Sequence, residues 1–228
     1  MAMSKPQRIT WRVLARLLCY PDAELRSALP EVRELLANEP ALKRERRDAI
    51  DALLAELQGD PFEVEARYVE LFDRGRATSL HLFEHVHGES RDRGEAMVDL
   101  GRMYAQAGLD LAGGELPDYL PAALEFASTQ TPEVARGFIA EFAHILNALH
   151  TTLAERRSRY AAVVAAVLEL AGQRVEPVKV EREEPMDQAW EEPVAFGGCS
   201  TKGQSRPGTP QPIHIVRRTP TAARVTGA

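Results

Sequence analysis

The residues best equipped for chemistry lie close together, between positions 73 and 93. His81, His85 and His87 are near neighbours, and imidazoles one helical turn apart reach one metal ion if the segment is helical. The order His81-Leu82-Phe83-Glu84-His85 lacks the His-Glu-x-x-His arrangement that sets a general-base carboxylate beside the first ligand, and no third ligand is evident. No metal is expected, because capping, surface polarity or partner contact accounts for the same side chains. Arg74, Arg76, Arg91 and Arg93 flank the histidines, and guanidinium groups grip phosphate bidentately. Pairing with Asp73, Glu89 and Asp92 would satisfy the same donors without a ligand, so both readings stay open.

These side chains need elements to position them, and the periodicity is helical. Ile9, Val13, Leu14, Leu17 and Leu18 define a first helix that Pro21-Asp22 stops. Apolar residues continue on both sides of Pro30, where a break into two short helices is expected. A stripe from Leu42 to Leu57 leads to Gly59-Asp60-Pro61, a C-terminus, an N-cap and a first helical position in succession. The next helix carries Val64, Tyr68 and Phe72. After Gly75 the pattern is irregular until Ser79, and Gly88 separates a short helix from a longer one capped by Ser90 and closed by Gly108. Asp118 is placed to cap a helix entered by Pro121. Thr131-Pro132 opens another running through Phe138, Phe142 and Leu149, and Ser158 caps the last, ending near Gly172.

No period-two alternation bounded by hairpin turns and no internal repeat appears. The expectation is an all-α chain: a single-domain helical bundle over residues 1–172 and a flexible tail over 173–228, acidic from Glu176 to Glu192 and mildly basic beyond. A chain of 228 residues, 44% of them hydrophobic, is long enough for one sizeable core. Abundant Ala, Leu, Glu and Arg favour helices because these side chains lose little rotamer freedom there. The formal charge of -6 disfavours general binding to nucleic acid and suits a basic partner. Two cysteines, Cys19 and Cys199, provide no disulfide framework and fit a reducing cytoplasm. No run approaches the ~20 apolar residues that a bilayer span needs, so the chain is expected in the cytoplasm without membrane insertion.

Enzyme signatures are missing. There is no P-loop, no Gly-x-Ser-x-Gly elbow, no Gly-x-Gly-x-x-Gly after a strand and no Cys/His nucleophile pair. Tyr119 presents an apolar ring with a polar tip at a helix entrance, a side chain favoured in binding surfaces. Tyr68 and Phe72 share a helix face, and Asp73 ends that helix, where the macrodipole disfavours a carboxylate.

The order of these pieces resembles the respiratory nitrate reductase assembly chaperones of the NarJ type, within the wider TorD-like group of helical chaperones for molybdenum enzymes. The resemblance rests on Arg67-Tyr68-Val69-Glu70-Leu71-Phe72-Asp73, on the run from Ser79 to Gly88, on Ser90-Arg91-Asp92-Arg93-Gly94, and on Leu116-Pro117-Asp118-Tyr119-Leu120-Pro121. A weaker echo follows in Trp190, Val194 and Phe196, whereas the first sixty residues match only in helical character. The resemblance implies a TorD-like bundle, not an enzyme. It implies a cytoplasmic chaperone that binds the immature catalytic (alpha) subunit of nitrate reductase, through its N-terminal segment, before cofactor insertion and membrane attachment. Client-binding candidates are Tyr68, Asp73, His85, Asp118 and Tyr119. No cofactor is expected to be held stably, and transient contact with the molybdenum cofactor falls to Arg74, Arg76, Arg91 and Arg93. Two rival classes remain: a metal- or nucleotide-dependent helical enzyme built on His81, His85 and Arg91, and a regulatory protein whose tail touches nucleic acid.

Overall fold

The structure, a computed structural model, describes residues 5–86, 91–111 and 113–179. His87, Ser90, the side chain of Arg91 and the tail motif of Trp190, Val194 and Phe196 lie outside the described residues.

Most helix starts and stops follow local chemistry. Helix α1 spans Lys5–Leu18. Asp22 then accepts from the Leu25 amide at 2.7 Å and caps α2, Ala23–Ala37. Helix α3 spans Arg44–Leu57. Asp60 accepts from the Glu63 amide at 3.1 Å, and Pro61 takes the first position of α4, Pro61–Phe72, where a missing N–H costs nothing. Short 3-10 turns cover Arg76–Thr78 and Leu82–Glu84. Helix α5, Arg91–Gln106, is followed by Gly108 at φ +75°, a left-handed geometry that glycine adopts without a Cβ clash. Helices α6 (Leu120–Thr129), α7 (Pro132–Glu141, capped by Thr131), α8 (Ala143–Glu155) and α9 (Ala161–Leu170) complete the described order. The chain is all-α, as the periodicity indicates, and among the described residues the sole β-type pairing is one isolated bridge, His81 to Tyr119.

Two boundaries differ from expectation. Pro30 does not split α2 but sits inside it. The proline is exposed, while Leu25, Leu29, Val32 and Leu36 anchor the helix in the core on both sides of it. That packing offsets the lost backbone hydrogen bond. Conversely, the helix opened by Thr131 does not run through Leu149. It closes at Phe142, whose amide turns back to Ile139 and Ala140, and a new helix starts at Ala143. The turn lays the Phe142 ring against Phe138, with centroids 5.4 Å apart, and against Phe83 at 6.4 Å.

Helix α9 lies at the centre. Apart from Glu169 and the partly buried Ala161 its residues are buried, and it packs on α8, α3, α1 and α7. Helices α1 and α6 form the other major contact, α1 burying Leu14, Leu17 and Leu18 and α6 burying the small Ala123 and Ala127. These small residues let the helix axes approach closely. Beyond Gly172 the chain stays on the bundle. Asn147 donates from Nδ2 to the Arg174 carbonyl at 3.3 Å and accepts at Oδ1 from the Glu176 amide at 2.8 Å. Val178 donates its amide to Thr151 Oγ1 at 3.1 Å, and Val175 packs on the core. The expected boundary at residue 172 therefore falls just before a segment that α8 holds.

Candidate functional site

The segment between α4 and α5 and the segment before α6 are tied into one unit. Leu82 donates its amide to the Asp118 carbonyl at 2.9 Å, and Leu120 donates to the Leu80 carbonyl at 2.8 Å, flanking the His81–Tyr119 bridge. The Asp118 side chain is fully buried at the centre. Its Oδ2 accepts from the Phe83 amide at 3.1 Å, its Oδ1 accepts from His81 Nδ1 at 3.2 Å, and Arg93 approaches at 3.6 Å while also reaching Glu84 at 3.6 Å. Asp118 does not serve as the N-cap of α6. That position belongs to Tyr119, which makes no side-chain cap, while the Asp118 carboxylate is committed to the Phe83 amide, to His81 and to Arg93 of α5.

His81 and His85 are not a turn apart on a helix. His81 is extended and precedes a 3-10 turn, and His85 points elsewhere, donating from Nε2 to the Ser79 carbonyl at 2.9 Å. The two imidazoles are thus engaged by different partners. Among the described residues, no group of three or more His, Cys, Asp and Glu side chains converges on one point.

Over this unit opens a cleft of about 430 Å³, lined by residues including Tyr20, Tyr68, Phe72, Asp73, His81 and Tyr119. Its floor is aromatic. Tyr68 packs at a tilt on Phe72 with centroids 4.8 Å apart, meets Tyr20 edge-on at 5.6 Å, and donates its hydroxyl to the Leu18 carbonyl at 2.7 Å. Tyr119 lies against His81, with centroids 5.3 Å apart. Burial raises the Tyr68 phenol, with Tyr119 adding to it, and burial likewise pushes Tyr119 up to about 12, so both hydroxyls stay neutral donors. His81 is shifted upward, first by its hydrogen bond to Asp118 and against the effect of burial. The fixed charges among the lining residues are Asp73 and Glu115, both carboxylates and both exposed. The cleft suits a segment with apolar anchors and a basic group.

Three of the five binding candidates, Tyr68, Asp73 and Tyr119, meet in this cleft although two chain segments supply them. Asp118 and His85 lie behind it and hold its wall. Arg93 is turned inward onto Asp118 and Glu84, whereas Arg74 and Arg76 are exposed and meet no carboxylate among the described residues. Tyr20 was not singled out from the sequence. Its signal was present, because an aromatic residue between a helix end and Pro21 is 42% exposed here and hydrogen-bonds Glu65 at 2.9 Å.

Known proteins place the chain in a family. The model of the nitrate reductase delta subunit family matches residues 22–166. The chain belongs to that family. It is 43% identical over 191 residues to the nitrate reductase molybdenum cofactor assembly chaperone NarJ of Escherichia coli, covering 79% of this chain and 81% of that one. It is 39% identical over 196 residues to the probable assembly chaperone NarW of the same organism, covering 79% and 80%. The probable NarJ of Bacillus subtilis is 33% identical over 171 residues, covering 74% and 92%. Family membership supports the expectation of a NarJ-type chaperone, a non-enzymatic role, and the enzyme alternative falls.

Proposed function

We propose that this chaperone binds the N-terminal segment of the immature catalytic subunit of nitrate reductase in the cleft over Tyr68 and Tyr119, and holds that subunit competent for molybdenum-cofactor insertion before membrane attachment. The observation that carries this reading is the convergence of Tyr68, Asp73 and Tyr119 on one acid-rimmed aromatic cleft. An amphipathic segment would set an apolar side chain on the Tyr68–Phe72 floor and bring a basic side chain to Asp73, which has no cationic partner among the described residues. Asp118 and His85 act by position, fixing the wall that carries His81 and Tyr119.

The names of the relatives support the assignment of client and cofactor. We place the work in the cytoplasm, where a reduced Cys19 is at home; among the described residues no helix is long and apolar enough to cross a membrane. Transient contact with the anionic molybdenum cofactor fits Arg74 and Arg76, whose exposed guanidinium groups lack carboxylate partners among the described residues, and does not fit Arg93, which Asp118 and Glu84 already hold. Calorimetric titration of the full chain with a synthetic N-terminal peptide of the catalytic subunit tests the proposal. Saturable binding weakened by Tyr119→Ala supports it, and failure of the peptide to bind removes it.

A further inference from the structure

The turn from α1 to α2 presents one aromatic side chain to the client cleft. Tyr20 lies outside both helices, is 42% exposed and lines the cleft together with Tyr68 and Tyr119. An exposed tyrosine ordinarily keeps its rotamer freedom, but this one is held at two points. Its ring meets Tyr68 at 84° with centroids 5.6 Å apart, and its hydroxyl donates to Glu65 at 2.9 Å. Glu65 is held in turn by Arg26 at 2.6 Å, and Arg26 also donates to the Pro21 carbonyl. The relay Arg26–Glu65–Tyr20 thus links α2 to α4 and returns to the turn that carries the ring.

The same ring borders the acidic rim. Hydrogen bonding to Glu65 raises the Tyr20 phenol first, and the charge of Asp73 adds to it, so the hydroxyl stays a neutral donor close to both carboxylates. Arg26, and after it Tyr20, holds the Glu65 carboxyl below its usual range. Glu65 is therefore fully engaged. Asp73 and Glu115, exposed on the same cleft, have no cationic partner among the described residues, and the His81 imidazole is committed to Asp118.

Tyrosine rings on the walls and two unpaired carboxylates at the rim suit one kind of side chain. A guanidinium is a flat cation that stacks on an aromatic face and forks onto a carboxylate. An ammonium is compact and strongly hydrated, and gains less from the rings.

We propose that Tyr20 is the specificity-determining residue of the client cleft: with Asp73 and Glu115 it receives one arginine side chain of the client segment, and Glu65 and Arg26 are positioning residues that hold its ring ready. This inference rests on the client reading proposed above. A ring fixed before binding loses less entropy when the client arrives, which is the use of the relay.

Calorimetric titration of the full chain with the N-terminal peptide of the catalytic subunit, parent and with each basic residue replaced in turn by glutamine, tests it. One replacement should cost about fivefold or more in excess on the parent chain over its cost on Tyr20→Leu, the coupling expected of a cation on a ring. Lysine at that position should restore only part of the affinity. Tyr20→Phe and Glu65→Ala should each weaken the parent peptide about threefold, and the double variant no further, because both cut one link. Circular dichroism confirms that each variant is folded. Coupling under fivefold at every basic position, with the peptide still bound and still weakened by Tyr119→Ala, overturns this inference and leaves the client reading standing. Full rescue by lysine overturns the guanidinium assignment, and failure of the peptide to bind at all removes both readings.

Discussion

His81 donates from Nδ1 to Oδ1 of Asp118 at 3.2 Å, with the carboxylate fully buried and the imidazole one-third exposed. The pair joins the segment after α4 to the segment before α6, and these carry the two halves of the proposed client cleft. Because Oδ2 of the same carboxylate takes the Phe83 amide, the imidazole meets an acceptor whose position the backbone already fixes. The geometry of the cleft wall is therefore sensitive to the charge on His81.

Protonation should tighten this wall. Hydrogen bonding to Asp118 holds the His81 imidazolium above the ordinary histidine value of 6.5. A raised folded-state value means that the contribution to stability is fully present below about 6.5 and is lost as pH rises through the raised value. An imidazole titration followed by NMR should place the His81 midpoint above 6.5, and Asp118→Asn should bring it down. A midpoint unmoved by that substitution would remove the proposed cause.

Tyr68→Phe isolates one hydroxyl. It deletes the bond to the Leu18 carbonyl at the end of α1 and keeps the ring packed on Phe72. Leaving that carbonyl unpaired should cost about 1–3 kcal/mol in denaturant unfolding, with little change in the slope against denaturant. Tyr68→Ala, which also empties a buried ring site, should cost about 3–5 kcal/mol. Equal stability of Tyr68→Phe and the parent would show that this bond adds nothing net.

Helix ends were readable because their chemistry is local. The side chains of Asp22, Asp60 and Thr131 each cap the amide three residues on. The role of Asp118 was not readable, since a capping site is a local pattern, whereas its actual partner Phe83 is 35 residues away. Pro30 misled for a related reason: the penalty is local, but the leucines that offset it act through the core. Tyr68, Asp73 and Tyr119 could be named from residue type and resemblance, yet only folding sets them in one cleft. A second cleft, of about 1170 Å³ and lined by Arg67, Arg156, Arg157 and Arg159 where α3 and α4 face the turn from α8 to α9, had no sequence signal at all, because helices far apart in the chain assemble it.

The two clefts should be separable by substitution. Asp73→Asn and Tyr119→Ala should each weaken binding of the client peptide about fivefold or more, consistent with truncation of an interface anchor costing about 1 kcal/mol or more. Arg156→Gln should leave peptide affinity unchanged, since that guanidinium lines only the other cleft. Circular dichroism on each variant excludes unfolding as the cause. Peptide affinity that drops with Arg156→Gln and not with Asp73→Asn would place the client on the basic cleft.

The last prediction concerns where the bundle ends. Residues 174–178 contribute three hydrogen bonds to Asn147 and Thr151 on α8, together with the packing of Val175. Asn147 is nearly buried, so removing this segment leaves its amide short of partners. At about 0.5–1.5 kcal/mol per net hydrogen bond, a chain cut after Gly172 should be about 2–4 kcal/mol less stable than one cut after Lys179. Both should still unfold cooperatively, because α9 and its neighbours are intact in each. Asn147→Ala should reproduce much of the loss in the longer chain and change the shorter one far less, a non-additivity expected only if the contact is real. Equal melting temperatures for the two truncations would support Gly172 as the end of the domain.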